Sequence, residues 1–203
     1  MSTDIRLGAV IVAGGLSSRM NAFKPMLPLG NSTIIRRVIT TLAEAGVGNI
    51  LLVTGREGDR LTEHVSDLPV TTVHNPDYAT TDMFCSARIG FAKLSGCCDR
   101  IFFLPGDVPL FSAATLAAML DKQRREAVDF LVPTHNGKKG HPVLLSAALL
   151  PTLLAFKGDG GMKAVIRGYN GRKATIEVPD PGILLDADTP EDYQRLLTYQ
   201  ASI

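Results

Sequence analysis

The chain has 203 residues, with 21 Lys and Arg against 20 Asp and Glu, a formal net charge of +1, and 45% hydrophobic residues. That length suits one domain with a sizeable core, and the charge balance supplies neither a basic field for nucleic acid nor an acidic tail. No apolar run reaches bilayer length, MSTDIR lacks the regions of a secretory signal, and Cys85, Cys97 and Cys98 form neither a disulfide framework nor a CxxC pair. The expectation is a soluble, cytoplasmic domain spanning residues 1–203, with small-molecule partners, no nucleic acid and no membrane.

In chain order, the first element is the apolar run Ala9-Val10-Ile11-Val12, the pattern of a parallel strand buried on both faces, which Gly14-Gly15 breaks at once. Glycines there let backbone N–H groups approach phosphate oxygens, and Arg19 and Lys24 follow with fixed positive charge. The stretch matches neither the P-loop nor the GxGxxG pattern. A bare Gly-Gly after a strand equally suits a tight connection, so the later motifs decide.

Leu27-Pro28-Leu29-Gly30 reads as a turn, and Ser32 or Thr33 can cap a helix bearing Ile34, Ile35, Val38, Ile39 and Leu42. Asn49 to Thr54 is a second buried strand, Asp59 to Val65 a polar helix, and Pro69 to His74 a β-branched strand ending at Asn75-Pro76. Asp82 can cap a helix from Met83 to Leu94, and Arg100 to Leu104 is a strand that places Asp107 at its carboxyl end. Ser112 caps a helix to about Arg124.

Phe130 to Pro133 and Pro142 to Ser146 then read as two strands around a polar turn containing Asn136-Gly137, which breaks the βα alternation. Helices at about 147–154 and 161–169 precede a strand at Ala174 to Val178, and Thr189 with Pro190 starts a last helix to Leu197. This order predicts an α/β fold, a single Rossmann-like three-layer domain with a mainly parallel sheet and a small antiparallel excursion. Ligands belong at the carboxyl ends of the strands, which gathers the glycine loop, Asn75, Asp107 and Asp186-Ala187-Asp188 into one crevice. Cations beside carboxylates that can hold Mg²⁺ are what a nucleoside triphosphate site requires.

With Ala13-Gly14-Gly15-Leu16-Ser17-Ser18-Arg19-Met20, Lys24, Gly106-Asp107-Val108-Pro109, Gly140-His141-Pro142, Gly158-Asp159-x-Gly161 and Asp186-Ala187-Asp188-Thr189-Pro190, the chain resembles the MobA-like nucleotidyltransferases. Within them it is most similar to the molybdenum cofactor cytidylyltransferases, from about Leu7 to Leu197. The resemblance implies an enzyme that joins a nucleotide to the terminal phosphate of molybdopterin cofactor and releases pyrophosphate with Mg²⁺ bound. A molybdoenzyme or its maturation chaperone would receive the product.

The same resemblance places Ala13, Gly14, Gly15 and Ser17 on the nucleotide and makes Arg19, Lys24 and Asp107 the catalytic set. It implies Asp107 and Asp188 as metal ligands, with Asp186 the alternative to Asp188, sets Asn75 near the base, and gives Ser86 and His141 to the acceptor. Cys85 stands where the family more often has a serine. Gly14-Gly15 is the guanylyl form of the loop, but Leu16 to Met20, the Gly-His-Pro, the Gly-Asp-x-Gly and the paired aspartates follow the cytidylyl branch. CTP is therefore expected over GTP. The competing readings are a GTP-using guanylyltransferase, an acceptor that is a sugar phosphate or another phosphorylated alcohol, and an accessory nucleotide-binding protein without turnover.

Overall fold

A computed structural model describes residues 5–15, 20 and 22–202. The run after Arg6 forms β1 (Leu7–Ala13), and a 3₁₀ turn at Lys24–Met26 leads to a two-stranded ribbon, β2 (Pro28–Leu29) and β3 (Ser32–Thr33). There follow α1 (Ile34–Glu44), β4 (Asn49–Thr54), α2 (Gly58–His64), β5 (Thr71–His74), α3 (Met83–Leu94), β6 (Arg100–Pro105) and α4 (Ala113–Glu126). The second half comprises β7 (Phe130–His135), β8 (Lys138–Lys139), β9 (Val143–Ser146), α5 (Leu150–Ala155), α6 (Gly161–Gly168), β10 (Lys173–Glu177) and α7 (Pro190–Gln200).

The main sheet runs β10-β7-β9-β6-β1-β4-β5, with β8 paired to β7. β1 lies parallel to both β4 and β6, whereas β9 inserts antiparallel between β6 and β7. Helices cover both faces, and this explains the unbroken apolar run of β1. Ala9 and Ile11 point into one core with Val38, Phe102, Leu104 and Leu116. Val10 and Val12 point into the other with Val53, Phe91, Phe103 and Leu145. Successive side chains on a strand face opposite ways, so a strand covered on both sides has no position for a polar residue. Full burial of each such Val, Ile or Phe contributes about 1.5–3 kcal/mol, which makes β1 the strand both layers depend on. A third cluster, Leu29, Ile34, Leu110, Ala187 and Leu196, fastens α7 over the β2–β3 ribbon, where Tyr193 also donates its hydroxyl to the Pro28 carbonyl.

Three helix starts follow the sequence reading. Asp82 accepts from the Cys85 N–H, Ser112 from the Thr115 N–H, and Thr189 forms a reciprocal capping box with Asp192 ahead of Pro190. Thr33 precedes α1 as expected, but its hydroxyl bonds His64 Nε2 at 2.8 Å, so α1 has no side-chain cap. The Asn136-Gly137 turn, with both residues at positive φ, joins β7 directly to the two-residue β8, and β9 then pairs antiparallel with the first part of β7, as the two strands expected around that turn. The β2–β3 ribbon, the two-residue β8 and the 3₁₀ turns at Lys24–Met26 and Pro181–Leu184 were not foreseen, and all are too short to carry a periodic pattern. Among the described residues no helix is long and apolar enough to cross a membrane.

The closest seam between β1 and a helix is at Gly90 of α3, where a Cβ would lie 2.6 Å from a Val10 methyl. Alanine is normally better than glycine inside a helix by about 0.5–1 kcal/mol. Here we expect Gly90→Ala to lower stability instead, by about 1–3 kcal/mol, because Val10 is stiff and fully enclosed. Urea denaturation measures it, and Val10→Ala in the same chain should relieve part of the loss. Strictly additive costs would disprove the contact.

Candidate active site

Parallel strands end at one edge of the sheet, and the chain places its special backbone there. β1 runs into Gly14-Gly15, β4 into Gly55, and β6 into Gly106-Asp107. A Cβ on Gly55 would sit 2.7 Å from the Gly14 carbonyl oxygen, so these neighbouring strand ends touch backbone to backbone. A Cβ on Gly15 would meet nothing within 4 Å among the described residues. Between them lies a cavity of about 220 Å³ whose walls include Ala13, Gly14, Gly15, Lys24, Ser86, Asp107 and Asp188. Ser17 and Arg19 lie outside the described residues.

Lys24 is the charged centre of this cavity. Its ammonium donates to Asp188 Oδ1 at 2.6 Å and to Asp107 Oδ2 at 3.3 Å, bringing together three distant parts of the chain. The 3₁₀ turn, with Pro25 buried beneath it, fixes the lysine. Asp107 leaves the end of β6, and its carbonyl accepts from the Ala187 N–H at 3.2 Å, which holds the two aspartate-bearing loops side by side. Ala187 is buried in the third cluster between Asp186 and Asp188.

The side chains of Lys24 and Asp107 are only 13% and 20% exposed, against 43% for Asp188, so the ion pair is screened little on the Asp107 side. Burial pushes the Asp107 carboxyl above its ordinary range; Lys24 opposes this and Asp188 adds to it. Asp186 is likewise pushed up, by burial first and then by the charges of Asp107 and Asp188. The cluster therefore holds more negative charge than Lys24 offsets. Hard oxygen donors with surplus negative charge fit a divalent cation. Among the described residues no group of three or more His, Cys, Asp or Glu side chains could hold a metal unaided, so water and substrate phosphate would complete its shell, the usual situation for Mg²⁺.

The remaining candidates separate. Asn75 is buried, and both amide hydrogens are used, on Ser86 Oγ at 2.9 Å and Thr81 Oγ1 at 3.2 Å, while its Oδ1 accepts from the Asp77 N–H. It braces Ser86, which lines the cavity, and has no free donor for a base. Asp188, and not Asp186, pairs with Lys24 and lines the cavity. His141 borders a second cavity of about 930 Å³ with Phe84, Phe103, Phe130 and Met162. The His141 ring meets Phe103 edge-on at 6.4 Å, its backbone N–H donates to Ile183, and burial lowers its pKa, against a hydrogen bond with the Phe103 backbone. The buried Nδ1 has no hydrogen-bond partner among the described residues. Asp82 and Met83 line both cavities and so join them.

Sequence reasoning took Asp82 for a cap only and passed over Met83, Lys163 and Arg167. Met83 is a large apolar side chain left 52% exposed beside a polar Thr80 to Asp82 stretch. Lys163 and Arg167 stand four apart on α6 and edge the second cavity, a spacing that puts two cations on one helix face.

The family model of the MobA-like NTP transferase domain matches residues 9–175. The molybdenum cofactor cytidylyltransferase of Escherichia coli is 30% identical over 188 residues, 92% of this chain and 93% of that protein. A nucleotidyl transferase from Methanothermobacter thermautotroptrophicus superposes with a TM-score of 0.81 at 25% identity, covering 98% and 99% of the two chains. A Mycobacterium tuberculosis protein crystallised with manganese superposes at 0.72 with 24% identity over 95% and 98%.

If Lys24 offsets the repulsion within the cluster, removing it leaves carboxylates facing one another with less solvent than they need. We expect Lys24→Met to cost about 1–3 kcal/mol of stability at neutral pH. Adding Asp107→Asn should recover most of that loss, since it removes the buried charge that Lys24 satisfied. Chemical denaturation of the two single variants and the double variant checks this; a double variant as unstable as the sum of the singles would refute it.

Proposed function

The chain belongs to the MobA-like NTP transferase family and is a nucleotidyltransferase, and from that premise we propose that it transfers CMP from CTP to the terminal phosphate of molybdopterin cofactor. One observation carries the reading: a small cavity with a Lys24–Asp107–Asp188 cluster at a glycine-rich strand end opens, past Asp82 and Met83, onto a larger aromatic cavity. A triphosphate suits the first. The second offers Phe84, Phe103, Phe130 and Met162 to a flat ring, and Lys139, Lys163 and Arg167 to anionic groups, with His141 in its wall. A sugar would find few polar partners on that floor.

In the proposed reaction an acceptor phosphate oxygen attacks the α-phosphorus of CTP in line. A new P–O bond forms to the cytidylate, the bond to the β-phosphate breaks, and pyrophosphate leaves. Gly14, Gly15 and Ser17 seat the triphosphate, while Lys24 and Arg19 neutralise charge that grows on the α-phosphate and on the leaving group. Lys24 gives two of its three ammonium hydrogens to the aspartates, which leaves the third for a phosphate oxygen. Asp107 and Asp188 would hold Mg²⁺, which supplies polarisation of the phosphoryl oxygen when bound. Asn75 keeps Ser86 in the cavity wall. His141, uncharged near neutral pH because burial lowers its pKa, can hydrogen-bond the acceptor without adding charge. The cytidine preference is supported by Leu16 to Met20, Gly140-His141-Pro142, Gly158-Asp159-x-Gly161 and Asp186-Ala187-Asp188, and by the activity named for the Escherichia coli relative.

Turnover with molybdopterin cofactor and each nucleoside triphosphate, followed by pyrophosphate release and product identity, tests the proposal. Asp107→Asn should nearly abolish turnover while the protein stays folded, and normal rates at limiting Mg²⁺ would remove Asp107 from the metal site. With equimolar CTP and GTP the cytidine dinucleotide should predominate. A Cβ on Gly15 meets none of the described residues, so Gly15→Ala should fold normally and narrow the loop, sharpening the preference for the smaller base. Predominance of the guanine product would overturn the base assignment.

A further inference from the structure

Asp180 is the only acidic side chain among the described residues that solvent barely reaches, at 6% exposure, and it lines neither cavity. Its Oδ2 accepts from the Ser112 N–H at 2.8 Å, the Ser112 hydroxyl at 2.9 Å and the Thr115 hydroxyl at 2.6 Å. Its Oδ1 accepts from the Gly182 N–H at 3.0 Å. One carboxylate thus clamps two segments. Ser112 and Thr115 begin α4, directly after the Asp107–Phe111 loop, and Gly182 lies in the 3₁₀ turn that leads to Asp186 and Asp188.

The clamp sits where the segments are pressed together. A Cβ on Gly182 would lie 1.9 Å from the Leu110 carbonyl oxygen, and a Cβ on Gly140 would lie 2.4 Å from the Ile183 carbonyl oxygen, which itself accepts from the His141 N–H. Farther along, the Ala187 N–H reaches the Asp107 carbonyl. The 3₁₀ turn is therefore gripped from the Asp107 loop on one side and from the His141 segment on the other. We propose that Asp180 is a positioning residue that fixes the spacing of Asp107 and Asp188, and through it the affinity of the site for a divalent cation. This rests on the reading of those two aspartates as metal ligands.

Asp180→Asn separates positioning from packing. The amide has the same shape, and its single oxygen can still take the three donors from α4, but its NH₂ then faces the Gly182 N–H and that bond is lost. The 3₁₀ turn loosens while the α4 cap survives. Mn²⁺ binding to the intact chain, followed by loss of the free-ion electron paramagnetic resonance signal, should weaken about ten- to a hundredfold, the usual consequence of removing a partner that orients a ligand-bearing element. Amide hydrogen exchange should speed up at Gly182 to Asp188 and stay unchanged through α4, and saturating Mn²⁺ should restore most of kcat. Wild-type Mn²⁺ affinity in a folded Asp180→Asn variant overturns the proposal. If that variant does not fold, Thr115→Val, which withdraws one donor from the same oxygen, must weaken Mn²⁺ binding in its place, and unchanged affinity there overturns it as well. Asp107→Asn in parallel keeps the two ideas apart. If it too retains wild-type Mn²⁺ affinity, the ligand assignment fails; if it alone loses affinity, only the role of Asp180 does.

Discussion

Like charges gathered at one edge of the sheet are the constraint around which the rest is arranged. Burial pushes up the proton affinity of Asp107 and Asp186, the charge of Asp188 adds to it at both, and the charge of Asp107 adds to it at Asp186. A flexible chain would relax by turning these groups into water. Here the strand end of β6, the buried Ala187 and the capping box before α7 hold them in place, with Lys24 as the internal counter-charge. The core provides the stability against which this local repulsion is sustained, and on the proposed reading a cation bound with the triphosphate would relieve it.

Much of this was legible in the sequence because its causes are local or periodic. The double-sided burial of β1 shows as four consecutive apolar residues, and Asp82, Ser112 and Thr189 announce helix starts through the one hydrogen bond each can make. The placement of Asp107 at a strand end followed from the sharp change after Leu104. What the sequence withheld depends on pairing between remote segments. Nothing in Asn136-Gly137 says that its return strand is only two residues long, or that the following strand inserts between β7 and β6.

The site shows the same division. Lys24, Asp107 and Asp188 were grouped by motif, but that the lysine bridges both carboxylates is a three-dimensional fact. Its strand end placed Asn75 in the crevice, and the family resemblance set it near the base. In the fold that position is interior, and a buried amide must spend its hydrogens on neighbours. Asp180 stands in a Pro-Asp-Pro stretch, and no local pattern shows that its Ser112 and Thr115 partners lie 65 to 68 positions away.

The reversed direction of β9 sets how such a protein can diversify. In a purely parallel sheet only residues that follow a strand reach the ligand edge. Because β9 runs the other way, the residues that precede it, Gly140 and His141, arrive at the edge beside the end of β6. The larger cavity is built almost wholly from this later half of the chain, with only the start of α3 and Phe103 of β6 contributed by the earlier half. On the proposed reading, donor and acceptor sites thus come from different stretches of the chain, joined at Asp82 and Met83. Changes between residues 130 and 175 would then retune which acceptor is admitted while the triphosphate end, written mainly before residue 110, is inherited intact.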